Sequence, residues 1–492
     1  MLSVVRVISI NVIFYSVYYI ENGKFNLRFL ILVFLFILRI FFFILSPRVI
    51  RMFLGWDGLG LVSYLLVNFY GNSRRLNSGI LTVLSNRIGD VFLLIGIFFR
   101  VCIGGWKFLS WERSEIRLIF ILARFTKSAQ LPFSRWLPFA IAAPTPVSSL
   151  VHSSTLVTAG VFFLFRLFDL ILTNNIYLIF CRGVLTILCS SICGVFESDL
   201  KKVIALSTLR QLGIIIVILG LGFKEFCFFH LVIHALFKSS LFMRIGCKIH
   251  EYCDFQDSRI MRRGWKNQES DFFFGLTNLA LVGFPFLSGF FSKDLSLEFI
   301  FSDNLNFFFS LFLLLSISLT VCYRIKFVLL GSLNFTNFFV SPRHNLVSEK
   351  VFFSLIGLLV IRAWFGFFYF SNLLDSHRVI ELSIFIKLSI IAFLYYLYLF
   401  SNRHVLLKNI LFNKFIRLLR ALFFLSELTT FFKRYLLEFM WSFKFVDRGY
   451  LDLLKCTTIQ LNLGKLSLYS EFGFLSRFFL FLSVFLYGCT YF

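Results

Sequence analysis

Apolar runs of about 20 residues, long enough to cross roughly 30 Å of hydrocarbon as helices, recur along almost the whole chain. Of its 492 residues, 59% are hydrophobic and 15% are charged. Because soluble domains carry about 25% charged residues, this sequence could not build a water-exposed surface. The chain is therefore predicted to be an all-α polytopic membrane protein with about 14 transmembrane helices.

The basic residues do not form a patch that would bind nucleic acid. They give a formal net charge of +24, but they are scattered singly and in pairs between apolar runs, as Arg74-Arg75 and Lys201-Lys202 illustrate. Loop cations of this kind set the orientation of membrane helices. We therefore expect no nucleic-acid partner.

Two segments combine proline with lysine inside apolar runs, and each is predicted to contain a broken helix. The first lies near residues 127–146 and the second near residues 283–293. Their prolines are Pro132, Pro138, Pro144, Pro146 and Pro285. Proline removes a backbone donor and interrupts a helix. Broken helices at the bilayer midplane bind ions in many transporters, although a single proline can also kink a helix for packing alone.

The C-terminal part of the chain differs from the rest. Residues 401–471 remain rich in apolar residues but are interrupted repeatedly by lysine and arginine. This pattern favours an amphipathic lateral helix that lies along the membrane surface or along partner subunits, with an ordinary interfacial loop as the alternative. A terminal transmembrane anchor follows at 472–492. The preceding regions are N-terminal spans at 1–46, a core at 47–300 and further spans at 301–400.

Ionisable side chains inside the apolar runs are the candidate functional residues, because a charge costs about 2.5–3.5 kcal/mol at the centre of a membrane helix. Asp57 lies between glycines, and Lys127 precedes the first predicted break. A buried ammonium is stabilised by a nearby carboxylate, so Lys127 and a carboxylate partner could hold or release a proton as they approach or separate. Helix capping, a structural pair with arginine and snorkelling to an interface are the alternatives.

Histidines mark the region between the two predicted breaks. His152 lies in a hydroxyl-rich segment, and imidazole, hydroxyls and water together can conduct protons. His230, His234 and Lys238 are spaced i, i+4 and i+8, which places them on one face of a helix. This stripe favours proton transfer over zinc binding, because Lys238 would repel a bound cation and no metalloprotease motif is present. A hydrogen-bonded core histidine is the alternative for His152.

Further charged positions flank these candidates. Lys293 and Asp294 follow the second predicted break and could end a path toward an aqueous face. Arg87 and Asp90, three residues apart, are predicted to form an ion pair within one helix. Asp199 is predicted to cap the helix that follows it.

Several motifs occur in one order along the chain. They are Trp56-Asp57-Gly58, Asn86-Arg87-Ile88-Gly89-Asp90, Lys127-Ser128-Ala129-Gln130-Leu131-Pro132, Ala143-Pro144-Thr145-Pro146-Val147-Ser148-Ser149-Leu150-Val151-His152 and Phe229-His230 to Lys238. Over 47–300 the chain therefore resembles the antiporter-like subunits of respiratory complex I. Ser288-Gly289-Phe290-Phe291-Ser292-Lys293-Asp294 and the basic C-terminal region resemble the family members that carry a lateral helix.

The resemblance implies a proton-translocating subunit of an NADH dehydrogenase in the mitochondrial inner membrane, coupled to electron transfer from NADH to ubiquinone in other subunits. It places Asp57 at the family's acidic position and Lys127 at its partner lysine. It implies that the remaining path residues are His152, His230, His234, Lys238 and Lys293, with Asp90, Asp199 and Asp294 as auxiliary positions.

The resemblance also implies cofactors and partners. The sequence contains no dinucleotide-binding glycine motif, phosphate loop or iron–sulfur cysteine set, so we expect no cofactor and no metal in this chain. FMN, iron–sulfur clusters and ubiquinone are implied in partner subunits. The implied partners are the other membrane-arm subunits, including the sister antiporter-like chains, together with phospholipids and a respiratory supercomplex.

Two other functions stay open on the sequence. A Na⁺/H⁺ antiporter subunit of the related Mrp type would work without redox partners, although the basic lateral region disfavours it. A structural brace would hold the membrane arm together without pumping. In the family, about two further helices precede the segment that here starts at Met1, so lipid or another subunit is expected to cover the exposed side.

Overall fold

The computed structural model of the chain is helical in the part that it describes. The described residues are 1–20, 26–102, 114–168, 176–251, 255–257, 268–283, 287–293, 312–316, 318–321, 323–324 and Gly366. Within these ranges no β-strand occurs, and the isolated bridge joins Asp199 to Asp257. The predicted all-α class is confirmed for this part of the chain.

The main helices follow one another with short connections. They are α1 (Leu2–Tyr19), α2 (Asn26–Leu45), α3 (Val49–Val67), α4 (Ser73–Cys102), α5 (Ser114–Lys127), α6 (Trp136–Ala140), α7 (Thr145–Arg166), α8 (Ile176–Phe196), α9 (Leu200–Gly220), α10 (Lys224–Glu251) and α11 (Gln268–Val282). Among the described residues, eight of them, α1 to α4 and α7 to α10, are long and apolar enough to cross a membrane. The lateral-helix region 401–471, the anchor 472–492 and Asp294 lie outside the described residues.

The helices differ in how much of their surface is buried. α9 is buried along nearly its whole length and packs between α8 and α10, while α10 packs in turn on α7. In α1 to α4 only 33–39% of the residues in each span are buried. Their exposed positions carry large apolar side chains, such as Leu27, Phe42, Leu84 and Phe98. An apolar exposed face of this kind suits contact with lipid or with another membrane helix.

The chain leaves regular helix directly after Lys127. α5 ends there, Ala129 adopts a left-handed φ of 55°, and a 3₁₀ turn covers Phe133–Arg135 before α6 begins. The intervening proline has no N–H group to continue a helix. The first part of the stretch, Ser128 to Gln130, is buried among protein groups, and the Thr186 hydroxyl of α8 donates a hydrogen bond of 2.8 Å to the Gln130 amide oxygen. Irregular backbone inside a membrane is tolerated where protein covers it in this way.

α7 widens over Ser148–Thr155, where the backbone makes π-type turns. The Thr155 hydroxyl donates to the Leu150 carbonyl at 2.6 Å, five residues earlier, and the Ser154 hydroxyl donates to the same oxygen at 3.1 Å. Hydroxyls that bond to carbonyls of the preceding turn bend or loosen a helix. Such wide turns recur at functional sites, and this one carries His152.

Glycines bring the neighbouring helices close to the end of α5. A Cβ on Gly160 of α7 would lie 2.9 Å from the Ser128 nitrogen and 3.0 Å from the Arg124 carbonyl oxygen. On α4, Gly89 leaves the space that the Thr126 side chain of α5 occupies. α4 and α7 can therefore approach the end of α5 this closely because Gly89 and Gly160 have no side chains.

Replacing Gly160 by alanine should destabilise the bundle by about 1–3 kcal/mol, because backbone atoms rather than flexible side chains would have to move. Thermal unfolding of the protein, followed as loss of helical circular dichroism, measures the effect. Gly275→Ala is the matched control, since a Cβ there meets nothing within 4 Å. Equal stability losses in the two variants would contradict this packing argument.

Candidate functional site

Lys127 lies at the C-terminal end of α5 with its side chain fully buried. Its ammonium donates a hydrogen bond to the Trp56 backbone carbonyl of α3 and lies 3.8 Å from the centre of the Trp56 ring. A cation over an indole face is stabilised by the ring's negative π surface, most strongly away from water. Trp56 thus solvates the ammonium from two sides.

Asp90 of α4 is the buried carboxylate of this region. It accepts a hydrogen bond of 2.9 Å from the Trp56 indole nitrogen. Among the charged groups that act on Lys127, Asp90 gives the largest attraction and Asp57 the second. Asp90, which the resemblance made an auxiliary position, is therefore the carboxylate that attracts Lys127 most strongly.

Asp57 makes its ion pair with arginine instead of lysine. Its carboxylate lies 2.9 Å from the Arg87 guanidinium, which also lies 3.6 Å from Asp90. The second contact confirms the predicted Arg87–Asp90 pair. Consecutive helix residues point about 100° apart, so with Trp56 directed at Lys127, Asp57 is directed toward α4. The sequence-based pairing of Asp57 with Lys127 is corrected to an attraction at longer range. We refer to Trp56, Asp57, Arg87, Asp90 and Lys127 as the outer group.

His152 lies buried on the wide turn of α7, with its ring centre 6.2 Å from that of Trp136. Within the described part of the chain, neither ring nitrogen meets hydrogen-bond geometry with a protein group. The Ala140 backbone makes a weak polar interaction with the His152 ring. A buried imidazole without a firm protein partner is suited to binding a water molecule.

The predicted stripe on α10 is confirmed as one buried face, and it pairs with a polar stripe on α9. The His230 ring nitrogen lies 3.0 Å from the Gln211 amide oxygen, and the Lys238 ammonium donates to the Ser207 hydroxyl. Ser207 and Gln211 lie four residues apart on one face of α9, and they contact Lys238 and His230 on the stripe of α10. Among the described groups, both His234 ring nitrogens lack a hydrogen-bond partner.

Arginines also contribute charge near the polar stripes of α9 and α10. Arg210 of α9 is 1% exposed, and the Arg324 guanidinium donates to the Asn278 amide oxygen at 2.8 Å. Both arginines repel Lys238, and both repel Lys293. Lys293 lies beyond α11 and donates to the Leu281 carbonyl. The inner group consists of Ser207, Arg210, Gln211, His230, His234, Lys238, Lys293 and Arg324.

The two groups differ in charge. The outer group balances two carboxylates against Lys127 and Arg87, whereas the charged groups that act on Lys238 among the described residues are all cations. Repulsion in a medium of low dielectric constant makes the charge of each inner residue depend on the others. Imidazole and amine groups in such an arrangement can accept and pass protons one at a time.

Asp199 pairs with a lysine of the helix that it precedes. It occupies the position before α9, but its side chain makes no capping hydrogen bond and instead lies 2.5 Å from the Lys202 ammonium. The predicted cap is therefore wrong in its bonding, because the nearby lysine competes for the carboxylate. No cluster of three metal-ligating side chains occurs within the described ranges.

Several functional candidates were missed by sequence reasoning. Trp56, Ser207 and Gln211 bind the buried charges, and Arg210 adds a cation of its own. A signal existed for α9, where Ser207 and Gln211 lie four residues apart on one face and polar residues interrupt the apolar span. The Trp56 contacts depend on three helices that are distant in sequence.

Comparisons with known proteins agree with one another. A model of the NADH:quinone oxidoreductase/Mrp antiporter transmembrane family matches residues 46–320. NADH-ubiquinone oxidoreductase chain 5 of Locusta migratoria is 41% identical over 493 aligned positions, which cover 96% of this chain and 84% of that protein. The chain 5 protein of Aedes aegypti is 39% identical, with 96% and 84% covered.

A solved structure shares the fold. It comes from the membrane-bound sulfane sulfur reductase, an archaeal respiratory membrane complex, and aligns with a TM-score of 0.66 at 18% identity. The alignment covers 74% of this chain and 78% of that chain. At this identity the likeness concerns the fold alone.

Replacing Ser207 by alanine should lower turnover of the assembled complex by about fivefold or more, because the buried Lys238 ammonium loses a hydrogen-bond acceptor. Steady-state electron transfer coupled to proton uptake measures the effect. Ser239→Ala is the matched control: Ser239 is buried beside Lys238, yet its hydroxyl bonds to the Leu236 carbonyl of its own helix. A loss in the control as large as in Ser207→Ala would refute the role of this hydroxyl.

Proposed function

Because the chain belongs to the antiporter-like subunit family that includes NADH-ubiquinone oxidoreductase chain 5, we propose that it is a core membrane-arm subunit of that respiratory enzyme. It translocates protons across the mitochondrial inner membrane, driven by electron transfer from NADH to ubiquinone. The redox groups, namely FMN, iron–sulfur clusters and ubiquinone, belong to partner subunits. This chain contributes the path for protons.

The observation that carries this proposal is a series of buried titratable groups inside apolar helices. Lys127 and Lys238 are both 0% exposed, and His152, His230 and His234 are each exposed by less than 5%. Ionisable groups at membrane depth are expensive and normally serve an ion path. Their hydrogen bonds run to hydroxyl, amide and carbonyl groups, which can also bind the water that a proton path requires.

The proposed proton path runs through the outer group and the inner group. The outer group holds Lys127 against Trp56, whose indole N–H bonds to Asp90, with Asp57 bound to Arg87. The inner group continues through His230, His234 and Lys238 toward Lys293, and His152 lies on the wide turn of α7. Asp90 and Asp57 are the negatively charged neighbours of Lys127, whereas the described charged neighbours of Lys238 are cations, so the two groups differ in charge balance. Asp199 and Asp294 are auxiliary positions.

The finer architecture forms part of this proposal. The whole chain has about 14 transmembrane helices, two of them broken by proline, and a lateral amphipathic helix within 401–471. The irregular stretch between α5 and α6 supports the first break, because it lies directly after the buried Lys127. The lateral helix rests on the cation pattern of the sequence. It would run along the neighbouring membrane-arm subunits.

The Asp57–Arg87 ion pair supports contact with a partner subunit. Asp57 lies near the middle of α3 and Arg87 near the middle of the Arg75–Phe99 span, at the depth of the bilayer centre. Their side chains are nevertheless 30% and 46% exposed. Lipid tails cannot satisfy the free donors of a guanidinium. A polar membrane helix of a sister subunit would cover this pair, while phospholipids cover the purely apolar faces.

Two alternatives make different demands. An Mrp-type Na⁺/H⁺ antiporter needs oxygen ligands for sodium, whereas the described charged neighbours of Lys238 are cations. A brace that holds the arm together would not require the buried lysines to titrate. Assembly into a larger respiratory supercomplex is compatible with the proposal and rests on the family alone.

Replacing Lys127 by methionine tests the proposal. Methionine keeps the apolar stem but removes the ammonium, so we expect turnover to fall at least tenfold while the complex still assembles. Proton uptake per electron pair and NADH oxidation in proteoliposomes measure the effect. Lys224→Met, at the start of α10, is the control because it removes a partly exposed lysine outside both groups. Unchanged pumping in Lys127→Met would favour the brace.

Cysteine labelling tests whether a partner subunit covers the face that carries the Asp57–Arg87 pair. Leu84 is 58% exposed in the chain alone and lies one helical turn before Arg87. We expect Leu84→Cys to be protected from a membrane-permeant maleimide in the intact complex and to react once the subunits are dissociated. Labelling is compared with that of the unsubstituted chain, which has ten cysteines of its own. Equal labelling before and after dissociation would show that lipid covers this face.

A further inference from the structure

We propose that Trp56 is a positioning residue that keeps Lys127 and Asp90 close together but out of direct contact. The inference rests on the proposed function, since it concerns the lysine through which protons would pass. It assigns the indole ring a role that neither charged residue can fill. The ring binds the cation on its face and the anion at its edge.

Three contacts define this arrangement. The Lys127 ammonium lies 3.8 Å from the ring centre and also donates to the Trp56 carbonyl. The indole N–H donates to an Asp90 carboxylate oxygen at 2.9 Å. Among the described carboxylates, none forms an ion pair with Lys127, although Asp90 is its strongest electrostatic partner. The indole therefore occupies the space in which a direct lysine–aspartate pair would form.

The ring is held firmly in this place. Trp56 is 1% exposed, and its ring centre lies 6.0 Å from that of Phe43 and 5.6 Å from that of Phe163. Tilted aromatic contacts at these distances are favourable. A side chain that packs on α2 and α7 while binding α4 and α5 sets the spacing of the charges that those helices carry.

Separation matters because of the strength of a buried ion pair. In a medium of low dielectric constant, a direct ammonium–carboxylate contact is several times stronger than in water. Such a contact would hold the proton on Lys127 and resist its transfer. With the indole between them, Asp90 still stabilises the charged lysine, but the attraction is weaker and can be overcome by a small movement of α3, α4 or α5.

The second carboxylate, Asp57, attracts Lys127 less strongly than Asp90 does. Asp57 is bound to Arg87 at 2.9 Å and is 30% exposed, so its charge is already compensated. Arg87 also approaches Asp90, at 3.6 Å. Of the distances between charged side chains in the outer group, the distance between Lys127 and Asp90 is therefore the one that an uncharged side chain, Trp56, controls.

Two substitutions of Trp56 in the assembled complex separate the functions of the ring. Trp56→Phe keeps an aromatic face for the ammonium but removes the N–H donor to Asp90. Trp56→Leu removes both. Tyr15→Phe is the matched control, because it deletes one buried hydrogen bond, from Tyr15 to Thr145 at 3.1 Å, and keeps the ring. Each is measured as turnover number, KM for NADH and ubiquinone, and protons per electron pair, all normalised to assembled complex.

A positioning role predicts a graded result. Trp56→Phe should lower the turnover number by about fivefold, and Trp56→Leu should lower it further, with both KM values unchanged because the substrates bind other subunits. Adding Trp56→Phe to Asp90→Asn should cause no further loss, since the ring then has no carboxylate to hold apart. Tyr15→Phe should keep normal turnover.

Other results would overturn the inference. Normal turnover and proton ratio in Trp56→Phe, a loss no larger than in Tyr15→Phe, or independent losses in the Trp56–Asp90 double variant would each do so. If Trp56→Phe fails to assemble, Asp90→Asn is the test, because it keeps the shape of the side chain and removes its charge. Normal turnover in Asp90→Asn would then overturn the proposal.

Lys127→Met separates the positioning role from the proposed function. If Lys127→Met loses turnover while Trp56→Phe is normal, only the positioning role is refuted. If Lys127→Met loses no turnover, the proposed function is refuted.

Discussion

A charged side chain that enters the interior of a bilayer loses its hydration, and protein groups must replace the lost water. This requirement explains the arrangement around Lys127 and Lys238, the lysines that are 0% exposed among the described residues. The Lys127 ammonium receives a carbonyl and an aromatic face from Trp56, and the Lys238 ammonium receives the Ser207 hydroxyl. The helix contacts that bring these groups together, including the approach at Gly160, serve the same requirement.

The same physical requirement also separates the two groups by charge. Carboxylates compensate the cations of the outer group, and the Asp57–Arg87 pair extends that compensation to an exposed face. The described charges around Lys238 are of one sign, so the inner group responds strongly to any added or removed proton. In the proposed path, a proton passes between a group that contains carboxylates and a group whose described charged neighbours are cations. Redox energy from partner subunits would act by changing that difference.

Much of this could be predicted from the sequence. The length of the apolar runs predicted the membrane helices, and the spacing of His230, His234 and Lys238 predicted their common face, because a helix has a fixed period. The predictions were weaker where long-range packing decides the contact. Asp57 is paired with Arg87 rather than Lys127, and Asp199 binds Lys202 instead of capping α9. For Asp57 the competing cation comes from another helix, whereas for Asp199 it lies only three residues along the chain.

The sequence by itself determined that the chain is helical, membrane-embedded and equipped with buried titratable residues, since hydropathy and helical periodicity are local properties. It also placed Lys127 beside a proline-rich interruption. Only the tertiary structure decided which groups solvate each charge. Trp56, Asp90 and Lys127 come from three different helices, and Ser207 meets Lys238 across a helix pair. Side-chain direction at a helix crossing depends on the rotation and approach of whole helices, and no local pattern encodes these.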